Sequence, residues 1–547
     1  MLLAVTPITI QSSVAEARAD YPATATSGDD LLALLQQHFG YGSFRPLQRE
    51  IIDNAIAGQD VLALLPTGAG KSICFQLPAL ARNGMTVVAS PLIALMKDQV
   101  DALHSRGIGA TAINSSLPYA EIQDRFRRMS AGEYSLVYVA PERLMQPEFL
   151  AFLRRQDVST FAIDEAHCIS QWGHDFRPEY RRLSELRTHF PEVPIIALTA
   201  TATQRVRADI ATQLGLRDPA IHVASFNRPN LHYTVTSRDK AYERTLAVLQ
   251  SSPQASAIIY CQTRKSTEAL ADRLRGDGVR ACAYHAGMSS EDRHRHQEMF
   301  LTDKARVICA TVAFGMGIDK PDVRFVIHHG LPKNIESYYQ ETGRAGRDGD
   351  PSECILFFGK GDAVRLRRFA DEMENDQARQ LAIRQIGDIL AFADAKDCRR
   401  RMLLAYFGEI YNEQNCGACD NCRPKTAPAV HDEGADEEYD ETLFQRLKEL
   451  RKRLADERDV PAYVVFHDST LKAMSRALPA SGAELARIKG IGPHKLQDYG
   501  MAFLQAIKRH VDGGGAKPPE ERSGEQGILG VDVQHGAERK ESPLRPE

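Results

Sequence analysis

Two strings in the 547-residue chain combine glycines and charges in the arrangement that phosphate chemistry needs. The apolar run from Val61 to Leu65 leads into Pro66-Thr67-Gly68-Ala69-Gly70-Lys71-Ser72. Glycines there let backbone N–H groups curl around phosphate oxygens, a lysine meets the β and γ oxygens, and a serine hydroxyl ligates magnesium. Thr67, Gly68, Gly70, Lys71 and Ser72 are therefore the expected phosphate site, although the full eight-residue pattern wants glycine where Leu65 stands. Further on, the apolar strand Thr160 to Ile163 ends in Asp164-Glu165. That places one carboxylate to hold magnesium and another to polarise water at the same sheet edge. Together the two strings point to hydrolysis of ATP or GTP. A third string, Gln340 to Arg347, puts Arg344 and Arg347 three apart, where they are expected to project from one helix face. A guanidinium brought in from another lobe stabilises charge on the transferring γ-phosphoryl and couples hydrolysis to lobe closure. Gly343 and Gly346 would weaken an ordinary surface helix, so close approach explains them better.

Cysteine spacing suggests a different chemistry. Cys398 and the C-x-x-C-x-x-C run Cys416, Cys419, Cys422 can close a tetrahedral zinc site with no open catalytic position. An iron–sulfur cluster is the alternative. Cys74, Cys168, Cys261, Cys282, Cys309 and Cys354 stand singly in apolar segments and read as core residues.

These residues need elements to position them. Between 61 and 225, short β-branched runs alternate with helix-length segments: Val61 to Leu65, Thr86 to Ala89, Leu136 to Val139, Phe161 to Ile163, Ile195 to Leu198. A second series follows at Ala257 to Tyr260, Ala281 to Tyr284, Arg306 to Ile308, Arg324 to Ile327 and Ile355 to Phe358. Two α/β lobes in tandem are the expected result. The pattern turns helical from 366 to about 411, and an acidic stretch at 423 to 442 reads as a linker. Leu443, Leu447, Leu450 and Leu454 then mark one face of the first helix of a small all-helical domain ending near His510. Residues 1 to 28 and 512 to 547 lack periodicity and are expected to be disordered. With 43% hydrophobic residues and a formal charge of −4, the chain is globular and multidomain, and any polyanion surface must be a local patch. No run approaches the ~18 apolar residues of a membrane span, so a cytoplasmic, reducing setting is expected.

Phe39-Gly40-Tyr41, Phe44-Arg45-Pro46, Gln48, the P-loop, Ser90-Pro91-Leu92-Ile93, Asp164-Glu165-Ala166-His167, Thr199-Ala200-Thr201-Ala202 and Gln340 to Arg347 together resemble a superfamily 2 helicase core over residues 30 to 360. The stretch from Ala166 through Trp172-Gly173-His174-Asp175-Phe176-Arg177 to Tyr180 resembles the signature loop of RecQ DNA helicases. The resemblance implies RecA-like lobes at 29–225 and 226–365, a helical zinc-binding region at 366–425, an acidic linker at 426–442 and an HRDC domain at 443–511. It implies that Tyr41, Arg45 and Gln48 recognise adenine, that Lys71 and Ser72 hold phosphate and magnesium, and that Asp164 binds magnesium. Glu165 would activate water, and Arg347 would be the finger with Arg344 beside it. Thr199 to Ala202 would relay nucleotide state to the DNA groove, while Trp172, His174, Phe176 and Arg177 sense single-stranded DNA. An aromatic stacking on a base beside an arginine pairing phosphate agrees with that role.

In the HRDC-like segment, the Gly490-Ile491-Gly492-Pro493 turn offers N–H groups to phosphate with Lys489 and Lys495 nearby, and Tyr463 is the candidate for base stacking. Many RecQ proteins carry a winged-helix domain between the zinc site and HRDC. The 20 residues from 423 to 442 are too few for one, since folded domains start near ~50 residues.

The expected function is an ATP-dependent 3′–5′ DNA helicase or translocase of recombination and repair, stimulated by single-stranded DNA. Its cofactors would be magnesium with ATP and structural zinc. Its partners would be single-stranded and partially duplex DNA, a single-strand-binding protein and other repair proteins, without a membrane. A translocase that unwinds poorly, an RNA helicase and a non-motor nucleotide switch are the alternatives.

Overall fold

Each of the two series of apolar runs closes into its own parallel sheet in the computed structural model, which describes residues 28–114, 117–173, 175–315, 320–423, 439–458 and 462–513. The first sheet contains β1 (Val61–Leu64), β2 (Met85–Ala89), β3 (Ala110–Ile113), β4 (Leu136–Val139), β5 (Val158–Ile163), β6 (Ile195–Thr199) and β7 (Ala220–Val223). Their spatial order is β3-β4-β2-β5-β6-β1-β7. The second contains β8 (Leu231–Ser237), β9 (Ser256–Tyr260), β10 (Ala281–Tyr284), β11 (Val307–Ala310), β12 (Val323–His328) and β13 (Ser352–Phe358), in the order β10-β11-β9-β12-β13-β8. All pairings within both sheets are parallel. Helices cover both faces of such a sheet, which is why its inner strands read as continuous apolar runs rather than alternating ones.

Strand order is what assembles a site. In the first sheet β5, β6 and β1 are neighbours, so the loops leaving their carboxyl ends lie side by side. Those loops carry Asp164-Glu165, Thr199 to Ala202 and the glycine-rich turn respectively. β3, β7 and β8, absent from the sequence-based expectation, are all edge strands.

One apolar core runs from the β1–β6 face of the first sheet through Phe226 and Tyr233 into the second sheet, and on to Leu403, Phe407 and Cys419 of the cysteine-bearing region. That region comprises the helices Lys360–Asp371, Asp376–Asp394 and Arg399–Tyr406 followed by irregular turns. It is tied to the edge of the second sheet: Tyr233 N–H donates to the Ala418 carbonyl at 3.0 Å, and Asp420 N–H donates to the Tyr233 carbonyl at 3.0 Å. The last unit has a separate core within the helices Glu441–Glu457, Ala462–Val465, Asp468–Ala477, Gly482–Ala486 and Pro493–Asp512. Leu443 and Leu447 are buried in it, as the periodicity predicts. The acidic stretch expected to link these two units lies largely at 424–438, and the two chain ends at 1–27 and 514–547, all outside the described residues.

Asp60, one residue before β1, fixes the start of this arrangement. Its buried carboxylate accepts from Ile195 N–H at 2.8 Å, Arg217 N–H at 2.7 Å and Arg187 Nη2 at 2.5 Å. Asp60→Ala leaves three donors without an acceptor, one of them a half-buried guanidinium, and should cost about 3 kcal/mol. Urea unfolding monitored by circular dichroism measures that loss, and an unchanged midpoint would contradict it.

Candidate nucleotide and nucleic-acid site

The glycine-rich turn folds back because Gly68 and Gly70 adopt φ of 84° and 80°, conformations closed to most side chains. Leu65, standing where the longer pattern wants glycine, is buried in the core and donates its N–H to the Thr199 carbonyl at 3.0 Å. The turn therefore begins one residue later, and Leu65 serves as a continuation of β1. Lys71 Nζ lies 3.4 Å from the Leu65 carbonyl, and Ser72 opens the helix Ile73–Ala81. Of the three expected adenine-recognising residues, two touch this turn. Buried Gln48 donates from Nε2 to the Ala69 and Gly70 carbonyls at 3.2 and 3.1 Å, and Arg45 donates to the Gly68 carbonyl. Arg45 N–H in turn donates to Gln48 Oε1 at 2.8 Å. Tyr41 is half-buried against the first lobe's core.

Asp164 sits at the end of β5 with its N–H on the Ala89 carbonyl. Its carboxyl is pushed up to about 7, first by burial and then by the charge of Glu165, with Lys71 pulling it down. A divalent cation would relieve both penalties, so Asp164 with Ser72 suits magnesium. Glu165 takes the left-handed conformation at φ 48°, turning its side chain towards His167. The buried imidazole lies 3.3 Å from Glu165 Oε2 and 2.9 Å from Thr199 Oγ1, both through Nδ1. His167 thus joins the carboxylate expected to polarise water to the loop after β6. It stood in the resembling string without an assigned role, because its neighbour Thr199 is 32 residues away in sequence.

Arg344 and Arg347 do not share a helix face, contrary to expectation. The helix Ile335–Thr342 stops at Gly343, and Gly346 at φ 55° turns the chain where a Cβ would meet Asn230 Nδ2 at 2.4 Å. Two glycines end the helix and send the arginines apart. Arg347 crosses to the first lobe, so that a Cβ on Gly68 would lie 3.2 Å from its Cγ. Arg344 is buried in the second lobe, beside Gly315 and Tyr260.

The string from Ala166 to Arg177 forms a 3-10 turn, Ala166–Ile169, then a tight loop in which a Cβ on Gly173 would meet the His167 carbonyl at 2.6 Å. Trp172 rests one face on the core and receives the Arg205 guanidinium 3.2 Å from its ring centroid. Arg177 holds Asp175 Oδ2 at 3.0 Å and the Pro91 carbonyl at 3.0 Å. Phe176 is half-buried, and His174 lies outside the described residues. Ser170 Oγ donates to Asp209 Oδ2 at 2.6 Å, so the helix Gln204–Gln213 meets this loop at two points. Arg205 carries no sequence signal beyond its charge and is visible only in the fold.

The Sγ atoms of Cys398, Cys416, Cys419 and Cys422 all lie within 4.8 Å of one another. Four converging thiols match a closed tetrahedral zinc site. Asp420, inside the cluster, receives Arg399 at 3.0 and 3.1 Å.

The C-terminal helical domain lies against both lobes. Lys472 Nζ reaches Asp350 Oδ2 at 2.9 Å. At the same seam Lys320 pairs with Asp303 and Asp322 at 2.8 and 3.0 Å, close to the Arg451–Asp468 pair at 2.6 Å. Burial opposes its charge, yet Lys320 and then Arg451 hold the Asp322 carboxyl at about 2. On the first lobe, a Cβ on Gly492 would lie 3.2 Å from Gly40 Cα, so the turn expected to meet phosphate is packed against the start of the nucleotide-site segment. Lys489 is exposed, whereas burial, with the Arg106 charge, lowers Lys495 to about 8. Tyr463 falls in the helix Ala462–Val465, with its side chain outside the described part.

Four families match in chain order: DEAD/DEAH box helicase at 45–210, helicase conserved C-terminal domain at 240–349, RecQ zinc-binding at 360–423 and HRDC at 440–507. Among solved structures, Mycobacterium smegmatis helicase Lhr bound to ssDNA and AMP-PNP is similar in fold, at TM-score 0.50 and 19% identity, covering 69% of this chain and 55% of that one. Mss116p bound to ssRNA and AMP-PNP is similar at TM-score 0.53 and 17% identity, covering 63% and 75%. The ATP-dependent DNA helicases RecQ of Pasteurella multocida and Haemophilus influenzae are 37% and 36% identical, each over 88% of this chain and over 94% and 96% of their own. That of Bacillus subtilis is 36% identical over 88% of this chain and 98% of its own. With its strand-end carboxylates, glycine-rich turn, thiol cluster and lobe-bridging helical domain in the same order as these matches, the chain belongs to the RecQ family of ATP-dependent DNA helicases.

Proposed function

We propose that this helicase hydrolyses ATP in response to single-stranded DNA and uses the energy to move 3′ to 5′, separating strands during recombination, repair and replication-fork processing at the bacterial nucleoid. The observation that carries this reading is the approach of Arg347 to Gly68 across the cleft, with the Trp172 loop leaving directly from the Asp164-Glu165 turn. Tyr41, Arg45 and Gln48 bind adenine, Thr67, Gly68, Gly70, Lys71 and Ser72 bind the phosphates, and Ser72 and Asp164 would hold the magnesium that neutralises phosphate charge. Glu165 polarises the attacking water, Arg347 meets the charge that develops on the γ-phosphoryl, and Arg344 supports the loop that delivers it. Trp172, His174, Phe176 and Arg177 contact the single strand, and Tyr463 and Lys489 contact it from the HRDC domain. A base seated on Trp172 competes with Arg205 for the same ring. Arg205 stands on the helix Gln204–Gln213, which follows the loop of Thr199, and Thr199 meets the His167 that also meets Glu165. Cys398, Cys416, Cys419 and Cys422 hold structural zinc, and a single-strand-binding protein and other repair proteins are its partners.

A second reading, a DNA-driven translocase that unwinds weakly, is favoured by the 15 residues between Arg423 and Tyr439, too few for a strand-splitting domain.

Strand displacement on 3′-tailed, 5′-tailed, blunt and RNA duplexes, with ATP turnover measured in parallel, separates the two readings. The 3′-tailed DNA should open and the blunt duplex should open poorly; equal opening of 5′-tailed or RNA substrates would reverse the polarity or substrate assignment. Lys71→Ala should abolish turnover while leaving DNA binding measurable by fluorescence anisotropy. Phe176→Ala should leave basal hydrolysis in place and remove its stimulation by single strands, so persisting stimulation would count against the sensor loop. Removing zinc with a chelator and a thiol-reactive mercurial should release one metal ion per chain and lower Tm; iron and visible absorbance would instead identify a cluster.

A further inference from the structure

Between β7 and β8 the chain crosses from one lobe to the other through residues 224–230. Midway along it, Arg228 spreads its guanidinium over four backbone carbonyls. Nη1 donates to Thr67 at 3.1 Å and Gly343 at 3.3 Å; Nη2 donates to Ala345 at 3.0 Å and Gly346 at 2.8 Å. One acceptor belongs to the glycine-rich turn of the first lobe, and three belong to the loop of the second lobe that presents Arg347.

Holding the Thr67 carbonyl fixes where the turn begins, next to the Gly68 that Arg347 approaches. Holding the Gly346 carbonyl likewise fixes the peptide plane that enters Arg347. Asn230 reinforces this by donating to the same Gly346 carbonyl at 2.8 Å. The crossing segment is itself anchored. Buried Arg400, on the helix that follows Cys398, donates to the Arg228 carbonyl at 2.6 Å and the Leu231 carbonyl at 2.7 Å. A planar fork of donors suits several fixed acceptors at once, and a lysine ammonium satisfies them less well.

We propose that Arg228 is a positioning residue for hydrolysis: it sets the spacing of the phosphate-binding turn and the Arg347 loop so that the finger reaches the γ-phosphoryl. This rests on the reading of Arg347 as the finger, and Arg228 acts through it without touching the nucleotide. A displacement of about 1 Å at a reacting group costs about 100-fold in rate. Ground-state nucleotide binding, which depends on Lys71, Ser72 and the turn's own N–H groups, does not need the finger.

The test compares Arg228→Ala, Arg228→Lys, Arg347→Ala and the double variant Arg228→Ala with Arg347→Ala in the full chain. It measures kcat and KM for ATP with single-stranded DNA, the affinities for ADP and for ADP with aluminium fluoride, and Tm. Arg228→Ala should lower kcat about 100-fold and weaken ADP–aluminium fluoride binding in step, with KM and ADP affinity within about threefold of the parent. Arg228→Lys should fall between the two, and it carries the test if the alanine variant does not fold. The double variant should be no slower than Arg347→Ala, since both changes remove the same interaction. A kcat within threefold of the parent for both Arg228 variants, a parallel loss of ADP affinity, or a double variant with multiplied losses would overturn the proposal. If Arg347→Ala itself turns over normally, the finger assignment falls and this proposal with it. A slow Arg347→Ala beside normal Arg228 variants removes only the role of Arg228.

Discussion

At two points across the cleft a glycine of one lobe faces a side chain of the other. Gly68 faces the stem of Arg347, and Gly343 faces Thr67, whose Cβ would lie 3.3 Å from an added methyl. The separation of the lobes at this point depends on that lack of thickness. The lysine and both carboxylates belong to the first sheet, while the arginine belongs to the second. In the proposed roles, these charges would surround a γ-phosphoryl only when the lobes meet at this separation. A methyl group at either glycine would act as a spacer, and at Gly68 the positive φ adds backbone strain.

Chemistry that dictates residue type was legible in the sequence. A lysine after two glycines and paired acids at the end of an apolar strand have few other uses, and the parallel sheet places them together once the strand order is known. Edge strands were not legible, for physical reasons. β7 alternates exposed and half-buried positions, β8 loses burial towards its end, and β3 is a four-residue Ala-Thr-Ala-Ile stretch whose two alanines dilute its β-branched residues. The geometry of Arg344 and Arg347 was misread because a three-residue spacing implies a shared face only while the helix continues, and Gly343 ends it. Trp172 was read as a contact for single-stranded DNA. It packs one side on the core, and a cation lies over its ring.

The cysteine-bearing region is more than an appendage on the second lobe. Phe407 stacks on Phe226 with ring centroids 4.6 Å apart, and Glu409 accepts from Ser225 Oγ and Phe226 N–H at 2.5 and 2.7 Å. Arg207, on the helix that carries Arg205, reaches the Phe407 carbonyl at 2.9 Å. The crossing between lobes is therefore clamped from outside by a unit whose own shape depends on four thiols. Loss of the metal would loosen a segment far from it in function yet adjacent in space.

The contact of Gly492 with Gly40 sets two events in competition. The Gly490–Gly492 turn lies against the lobe here, since a Cβ added to Gly492 would come 3.2 Å from Gly40 Cα, and the same turn was expected to meet phosphate. Docking and the proposed strand capture by this domain would thus be rival uses of one surface, and linkage would make the rivalry reciprocal. The free energy that holds the domain on the lobes would then be subtracted from its grip on a strand, and a strand bound at the turn would loosen a brace that touches both lobes.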